Sequence, residues 1–366
     1  MKQPLFAPAV ALALALAAGL SQGQPRPQLT PEQAALHTTA AYLGDWTPAA
    51  LADLGTEPPD FVVKPGESLQ ATIDKVPADG SKRWVIQILP GTYRGPLCIK
   101  DKAPIALIGS TLDASAVVLV DSRFSGKPKG ESEPAHPCWP ELGKTTIGTS
   151  GSTSVLVQSN DVQLISLTIA NDAMDGVRRG EAYPPGVGES GGAQAVALTL
   201  TGDRIQLQGV RLLSHQDTLY VKRRAPDAPA RQLIRHSLIA GDVDFIFGSA
   251  TLVIEQSTIL TRANRRKPGH GGIILAPSTP PGLNQGFLVT HSRLVAEPGI
   301  GPGATAIGRA WDAGVKAGTW TAGVSPSGMA VVRDSEIGAH VGPWAPSTSR
   351  RPPDSARLTE FNNRQP

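Results

Sequence analysis

"QLIRHSLIAGDVDFIFGSATLVIEQSTI", residues 232–259, carries one phrase twice. QLIRHSLI, ending at Ile239, and LVIEQSTI, ending at Ile259, each read as an apolar strand, a polar pair and a closing aliphatic residue. The phrase recurs as VQLISLTI ending at Ile169, IQLQGVRL at Leu212, FLVTHSRL at Leu294 and AVVRDSEI at Ile337. Successive copies lie 43, 27, 20, 35 and 43 residues apart. Several of these spacings approximate one or two turns of a coil with a period of about 20–25 residues, within the range of solenoid repeats. Further short apolar runs sit between the copies: SVLV at 154–157, AVALTL at 195–200, DTLYV at 217–221, VDFIF at 243–247 and GGIILA at 271–276. Such runs, bounded by polar turns, read as strands. The pattern predicts an all-β chain wound as a parallel β-helix, whose stacked turns bury a continuous core. The alternative is a β-sandwich. A sandwich needs hairpins, and few Asn-Gly or Asp-Gly pairs separate these runs.

Composition agrees with a turn-rich β protein. The 366 residues include 39 Gly and 33 Pro, and only 18% are charged. A formal net charge of +3 is not that of a nucleic-acid binder. Basic residues do cluster at Lys222-Arg223-Arg224, Arg231, Arg235, Arg262 and Arg265-Arg266-Lys267. They read as solvated loop charge or, alternatively, as an attractor for a polyanion such as an acidic carbohydrate. At the N-terminus, Lys2, an apolar run from Leu5 to Leu20, and the small residues Ser21 and Gly23 predict a secretory signal over 1–23. The run is short for a membrane span. A secreted or periplasmic protein is expected, with an N-terminal extension over 24–60, weakly helical near Pro31–Ala41, and a β-helix domain over 61–366. The stretches Phe124–Lys144 and Asp172–Gly192 interrupt the pattern and are expected to form loops on one face. Cys98 and Cys138 either form one disulfide or remain two buried thiols.

Candidate chemistry narrows by elimination. GESGG, at 188–192, matches the G-x-S-x-G nucleophile elbow, but a Pro/Gly loop stands where the preceding strand is required. The seven histidines are scattered, with no metal-binding spacing. Asp242 and Asp244 face the same side of a regular strand and are candidate calcium ligands, yet no acidic cluster supplies the remaining oxygens. What remains is Gln216 and Asp217 in SHQDTLYV, with Asp244 in GDVDFIFG 27 residues on, about one coil further. Stacked carboxylates on adjacent coils cannot both ionise easily, so one keeps its proton. Such a pair suits a nucleophile or base with a general acid. Arg309, in AIGRAWDA, is a candidate for holding one member ionised. Gln216 and Asp217 are adjacent, so both can serve one site only where the backbone turns or bulges.

At these residues the chain resembles the pectin methylesterases. QAVAL at 194–198, QDTLY at 216–220, GDVDFIFG at 241–248 and IGRAW at 307–311 occur in order, supported by PGTYRG at 90–95, IGTSGS at 147–152, LAPST at 275–279 and RLTEFNN near the C-terminus. The LAPST stretch and the long loops look more like bacterial members than plant ones. The resemblance implies a right-handed, single-stranded parallel β-helix whose long loops form a surface cleft. It implies Asp244 as nucleophile, Asp217 as general acid/base, Gln216 as an oxyanion-stabilising amide, Gln194 as a second glutamine of the site, and Arg309 as the residue orienting Asp244. It implies Trp311, Tyr220 and Phe247 as sugar-binding aromatics. The implied protein is a monomer acting on methyl-esterified pectin or a related polyuronate, with no cofactor and no metal. Asp242 stands where the family more often has threonine; it reads as a carboxylate satisfying a turn or as a tuner of Asp244. A non-catalytic polysaccharide-binding envelope protein, and an esterase or thioesterase for another acyl group, are the alternatives on the same fold.

Overall fold

The computed structural model describes residues 26–130, 136–138, 145–189, 191–268 and 270–366. The predicted signal over 1–23 and Ser190 of the GESGG stretch lie outside them. Three sheets, of ten, eight and eight strands, run the length of the chain. Each full coil contributes one strand to each sheet: Arg231–Arg235, Leu238–Gly241 and Val243–Gly248, then Thr251–Glu255, Thr258–Thr261 and Ile273–Pro277. These strands pair in parallel with those of the next coil, which makes the fold a parallel β-helix and excludes the sandwich.

The repeated phrase is the repeating unit of the core. Its closing aliphatics form one ladder, Ile169, Leu212, Ile239, Ile259, Leu294 and Ile337, all buried and each registered on the next. The first halves supply a second ladder, Leu164, Leu207, Ile234, Ile254, Val289 and Val332. Parallel strands lie ~4.8 Å apart, so every coil lays an aliphatic layer on the last.

The polar pair makes the corner between these two strands. Its first member takes a left-handed backbone: φ is 51° at Ser166, 49° at His236, 51° at Gln256, 49° at His291 and 48° at Asp334. Its second member is a buried serine in four successive coils, Ser237, Ser257, Ser292 and Ser335. Each of these hydroxyls donates to the carbonyl two residues back, at 2.6–2.9 Å. Each accepts the backbone N–H of the preceding coil, at 3.1–3.2 Å. The serine thereby satisfies main-chain groups that a sharp buried corner would leave orphaned.

The N-terminal segment lies across the outer face of the ten-stranded sheet. Tyr42, Leu43 and Trp46 cover Leu233, Val253, Leu288 and Val331; Ala52 and Leu54 reach Val85, Ala106, Ile108 and Ile165. The predicted single helical stretch is two short helices, Pro31–Ala34 and Thr39–Leu43, because Thr30 and Thr38 each cap a new start. Cys98 and Cys138 form a disulfide with Cα atoms 5.3 Å apart, tying the first long loop to the coil beneath it. The basic cluster is largely spoken for: Arg231 pairs with Asp203, Arg235 with Glu255, Arg262 with Asp175 and Arg265 with Asp242. It is neither simple solvated charge nor a free polyanion patch. Among the described residues, no helix is long and apolar enough to cross a membrane.

Replacing Ser257 with Ala removes the acceptor of the Ser237 N–H inside a dry corner. The expected loss of unfolding free energy is about 1–3 kcal/mol, read from a denaturant titration.

Candidate active site

The site follows from register. Leu219 pairs with Ile246 and Tyr220 with Phe247, so Asp217 and Asp244 hold equivalent places on adjacent coils. Both aspartates have left-handed backbones, φ 67° and 47°. Aspartate tolerates this region better than most residues do. Asp217 N–H donates to the Val243 carbonyl at 3.1 Å, and pairing with the next coil shifts register between Val243 and Ile246. This backbone kink solves the adjacency problem: Gln216 and Asp217 line the same cleft.

The kink also separates Asp242 from Asp244. Asp244 faces the cleft, where the Arg309 guanidinium grips it through Nε–Oδ1 at 3.0 Å and Nη2–Oδ2 at 2.5 Å. A two-point arginine contact of this kind suits the carboxylate form. Asp242 lies beneath the 262–272 loop, away from Arg309, and is 1% exposed. Arg265 Nε and Nη2 hold its two oxygens at 2.6 and 2.7 Å, and His215 Nδ1 lies 3.2 Å from Oδ2. It therefore neither satisfies a turn nor shares the cleft with Asp244. The regular-strand premise that placed both on one side fails at Asp244, and with it the shared calcium site; each carboxylate is taken by an arginine.

Asp217 is buried, 8% exposed. Burial pushes its carboxyl well above the usual range; Asp244 pushes it further, while Arg309 opposes both. The result is a carboxyl pushed toward its acid form one coil from an arginine-held aspartate. The Gln194 and Gln216 side-chain oxygens are buried without a hydrogen-bond partner among the described residues. Buried amides left unpaired are costly, and such groups mark places where a ligand completes the set. The rings of Tyr220 and Phe247 stack with centroids 4.3 Å apart, following their register, and Trp311 meets both edge-on at 6.0 and 5.5 Å. Burial, then the neighbouring Asp217, raises the Tyr220 phenol to about 12.

All eight predicted site residues line one cleft of about 470 Å³: Gln194, Gln216, Asp217, Tyr220, Asp244, Phe247, Arg309 and Trp311. Thr149, Ser150, Ala276 and Thr348 complete its lining and had no assigned role. Thr149 and Ser150 sit on the short helix Gly148–Gly151 within the IGTSGS stretch, which was the available signal. Thr348 comes from an irregular loop that carries no repeat.

A family model described as Pectinesterase matches residues 143–316. The pectinesterase of Ralstonia nicotianae is 32% identical, over 92% of this chain and 90% of its own length. The chain belongs to the pectinesterase family. Pectinesterase B of Dickeya dadantii is 36% identical over 65% of this chain, which spans 57% of that relative's length. The solved rice weevil pectin methyl esterase superposes with a TM-score of 0.78 at 28% identity, covering 92% of this chain and 96% of its own. The region matched by the family model contains all eight predicted cleft residues.

The Asp217 environment has a consequence for stability. Its folded-state carboxyl is raised, so the folded protein binds the proton more tightly than the unfolded chain. Stability is then lost as pH climbs from the unfolded value, ~3.9, through the folded one. Asp217→Asn removes that dependence. The variant is expected to melt at a higher temperature than wild type at pH 8, with a smaller difference at pH 4, in parallel thermal scans.

Proposed function

We propose that the cleft hydrolyses methyl esters of a polygalacturonate chain by double displacement, with Asp244 as nucleophile and Asp217 as general acid and then base. The observation that carries this reading is the pair itself: an arginine-held Asp244 and a buried Asp217, its carboxyl pushed well above the usual range, on adjacent coils of one cleft. An Asp244 oxygen attacks the ester carbonyl carbon, and the carbonyl electron pair moves onto oxygen. The Nε2 amide of Gln216, with that of Gln194 beside it in the cleft, donates to that oxyanion in this reading. Collapse breaks the bond to methoxide, which takes the Asp217 proton and leaves as methanol. Asp217, now a carboxylate, takes a proton from water as the water oxygen attacks the acyl carbon. The acyl–Asp244 bond breaks, returning Asp244 as a carboxylate and giving the free uronic acid, which loses its proton to solvent, while the other water proton is back on Asp217. Arg309 keeps Asp244 oriented throughout.

The partly buried Trp311, backed by the stacked Tyr220 and Phe247 rings, suits the apolar C–H patches of sugar rings. The disulfide supports an oxidising destination, secreted or periplasmic.

Purified protein is expected to release methanol from methyl-esterified pectin and to leave acyl-CoA thioesters intact. Thioester cleavage alone would replace this reading with a thioesterase, and pectin binding without turnover with a polysaccharide-binding protein. Gln216→Ala is expected to lower kcat by about 10²–10³ with KM little changed, the signature of a lost oxyanion donor.

A further inference from the structure

Behind the cleft runs a second chain of charges that the chemistry above does not touch. Asp242 holds Arg265 by two bonds and His215 by one. The other face of the His215 ring, Nε2, lies 3.1 Å from Asp175 Oδ1, and Arg262 donates to the same oxygen at 3.1 Å. Arg265 Nη1 donates to the Tyr183 hydroxyl at 3.1 Å. His215, Asp242 and Arg265 are 0%, 1% and 0% exposed. Both His215 nitrogens lie within hydrogen-bond distance of carboxylate oxygens.

This chain is spliced into the backbone of the proposed catalytic pair. His215 lies two residues before Asp217, and Asp242 two residues before Asp244. The Asp242 N–H donates to the His215 carbonyl at 3.0 Å, so the side-chain link and the main-chain link join the same two residues. Asp175 and Tyr183 belong to the Asp172–Gly192 loop, which leads into Gln194. That loop is further tied down where Gly180 N–H donates to the Arg265 carbonyl at 2.7 Å.

We propose that the chain Asp175–His215–Asp242–Arg265–Tyr183, buried at its three central members, is a positioning device for the ester-cleaving pair, fixing the two catalytic corners and the field at Asp217 from beneath the loops that cover the coil. The proposal rests on the reading of Asp217 and Asp244 given above. Breaking one member of a fully buried ion pair leaves an uncompensated charge, whereas removing both does not. The charged groups facing Asp217 are Asp244 and Arg309 from the cleft and Asp242 and Arg265 from behind. Those facing the Asp242–Arg265 pair are His215, Tyr183 and Glu189. Asp175 and Arg262 lie at the far end of the chain.

Opposite shifts follow from the two single substitutions. Asp242→Asn leaves the Arg265 cation in excess, so Asp217 gives up its proton more readily. The alkaline limb of the kcat/KM–pH profile then moves to lower pH. Arg265→Met leaves the Asp242 anion in excess and moves the limb to higher pH. The double variant returns the limb to the wild-type position, while kcat stays depressed because His215 and Tyr183 have lost their anchor. The test is a pH series of methanol release from methyl-esterified pectin for wild type, both singles and the double. Limb shifts of about half a unit or more in opposite directions are expected, with kcat down about tenfold and KM within about threefold. Limbs that stay put or move together overturn the proposal. Where the singles do not fold, a double variant with wild-type kcat overturns it and one with depressed kcat at an unmoved limb supports it. Failure of wild type to release methanol sinks the functional reading itself, a separate outcome.

Discussion

The structure depends on one constraint, the parallel register that sets Leu219 on Ile246 and Tyr220 on Phe247. It converts 27 residues of sequence into a step of ~4.8 Å between neighbouring strands. The same register stacks the aromatic faces and brings Gln216 beside the coil that carries Asp244. The fit is tight at the strand end. A Cβ on Gly248, where φ is 131°, would lie 1.7 Å from the Val221 carbonyl oxygen. Both aspartates sit at left-handed corners, which cost about 1–2 kcal/mol per residue for most side chains. Hydrogen bonds to the neighbouring coil hold those corners in place.

The serine corners of the coil bond up and down the stack, and the Asp242 carboxylate has three partners, two from Arg265 and one from His215. Burial raises the Asp242 carboxyl, but bonds from His215 and Arg265 bring it well below the usual carboxylate range. The groups that line the cleft are left wanting. Asp217 is buried with Asp244 as its nearest electrostatic neighbour, and two amide oxygens lack partners. A buried carboxyl beside two unpartnered amide oxygens in one open cleft leaves polar capacity that a ligand can take up.

Much of this was legible in the sequence because a solenoid repeats what it needs. The closing aliphatics of the six phrases became one ladder, and the runs at 155–157, 198–200, 219–221, 243–248 and 273–277 are strands. Motif resemblance, not periodicity, singled out the aromatics and Gln194. The illegible part was whatever broke the period. Alternation assumes extended backbone, so it could not foresee that φ 47° at Asp244 would send Asp242 to the opposite side. Arg265 stood in a basic run that read as surface charge, yet it is wholly buried. Its partners lie 23 and 82 residues away, at Asp242 and Tyr183, with no repeat linking them. Cys98 and Cys138 were equally silent until their Cα separation was known.

The nucleophile assignment is the hinge of the functional account, and one substitution tests it most directly. Asp244→Asn preserves shape and keeps an oxygen facing Arg309, but it removes the attacking carboxylate. Methanol release from methyl-esterified pectin by wild type and by Asp244→Asn, at equal concentration of folded protein, is the measurement. The expected result is a loss of about 10³-fold or more in kcat for the variant, as for removal of a covalent nucleophile. Turnover by Asp244→Asn within tenfold of wild type would contradict it.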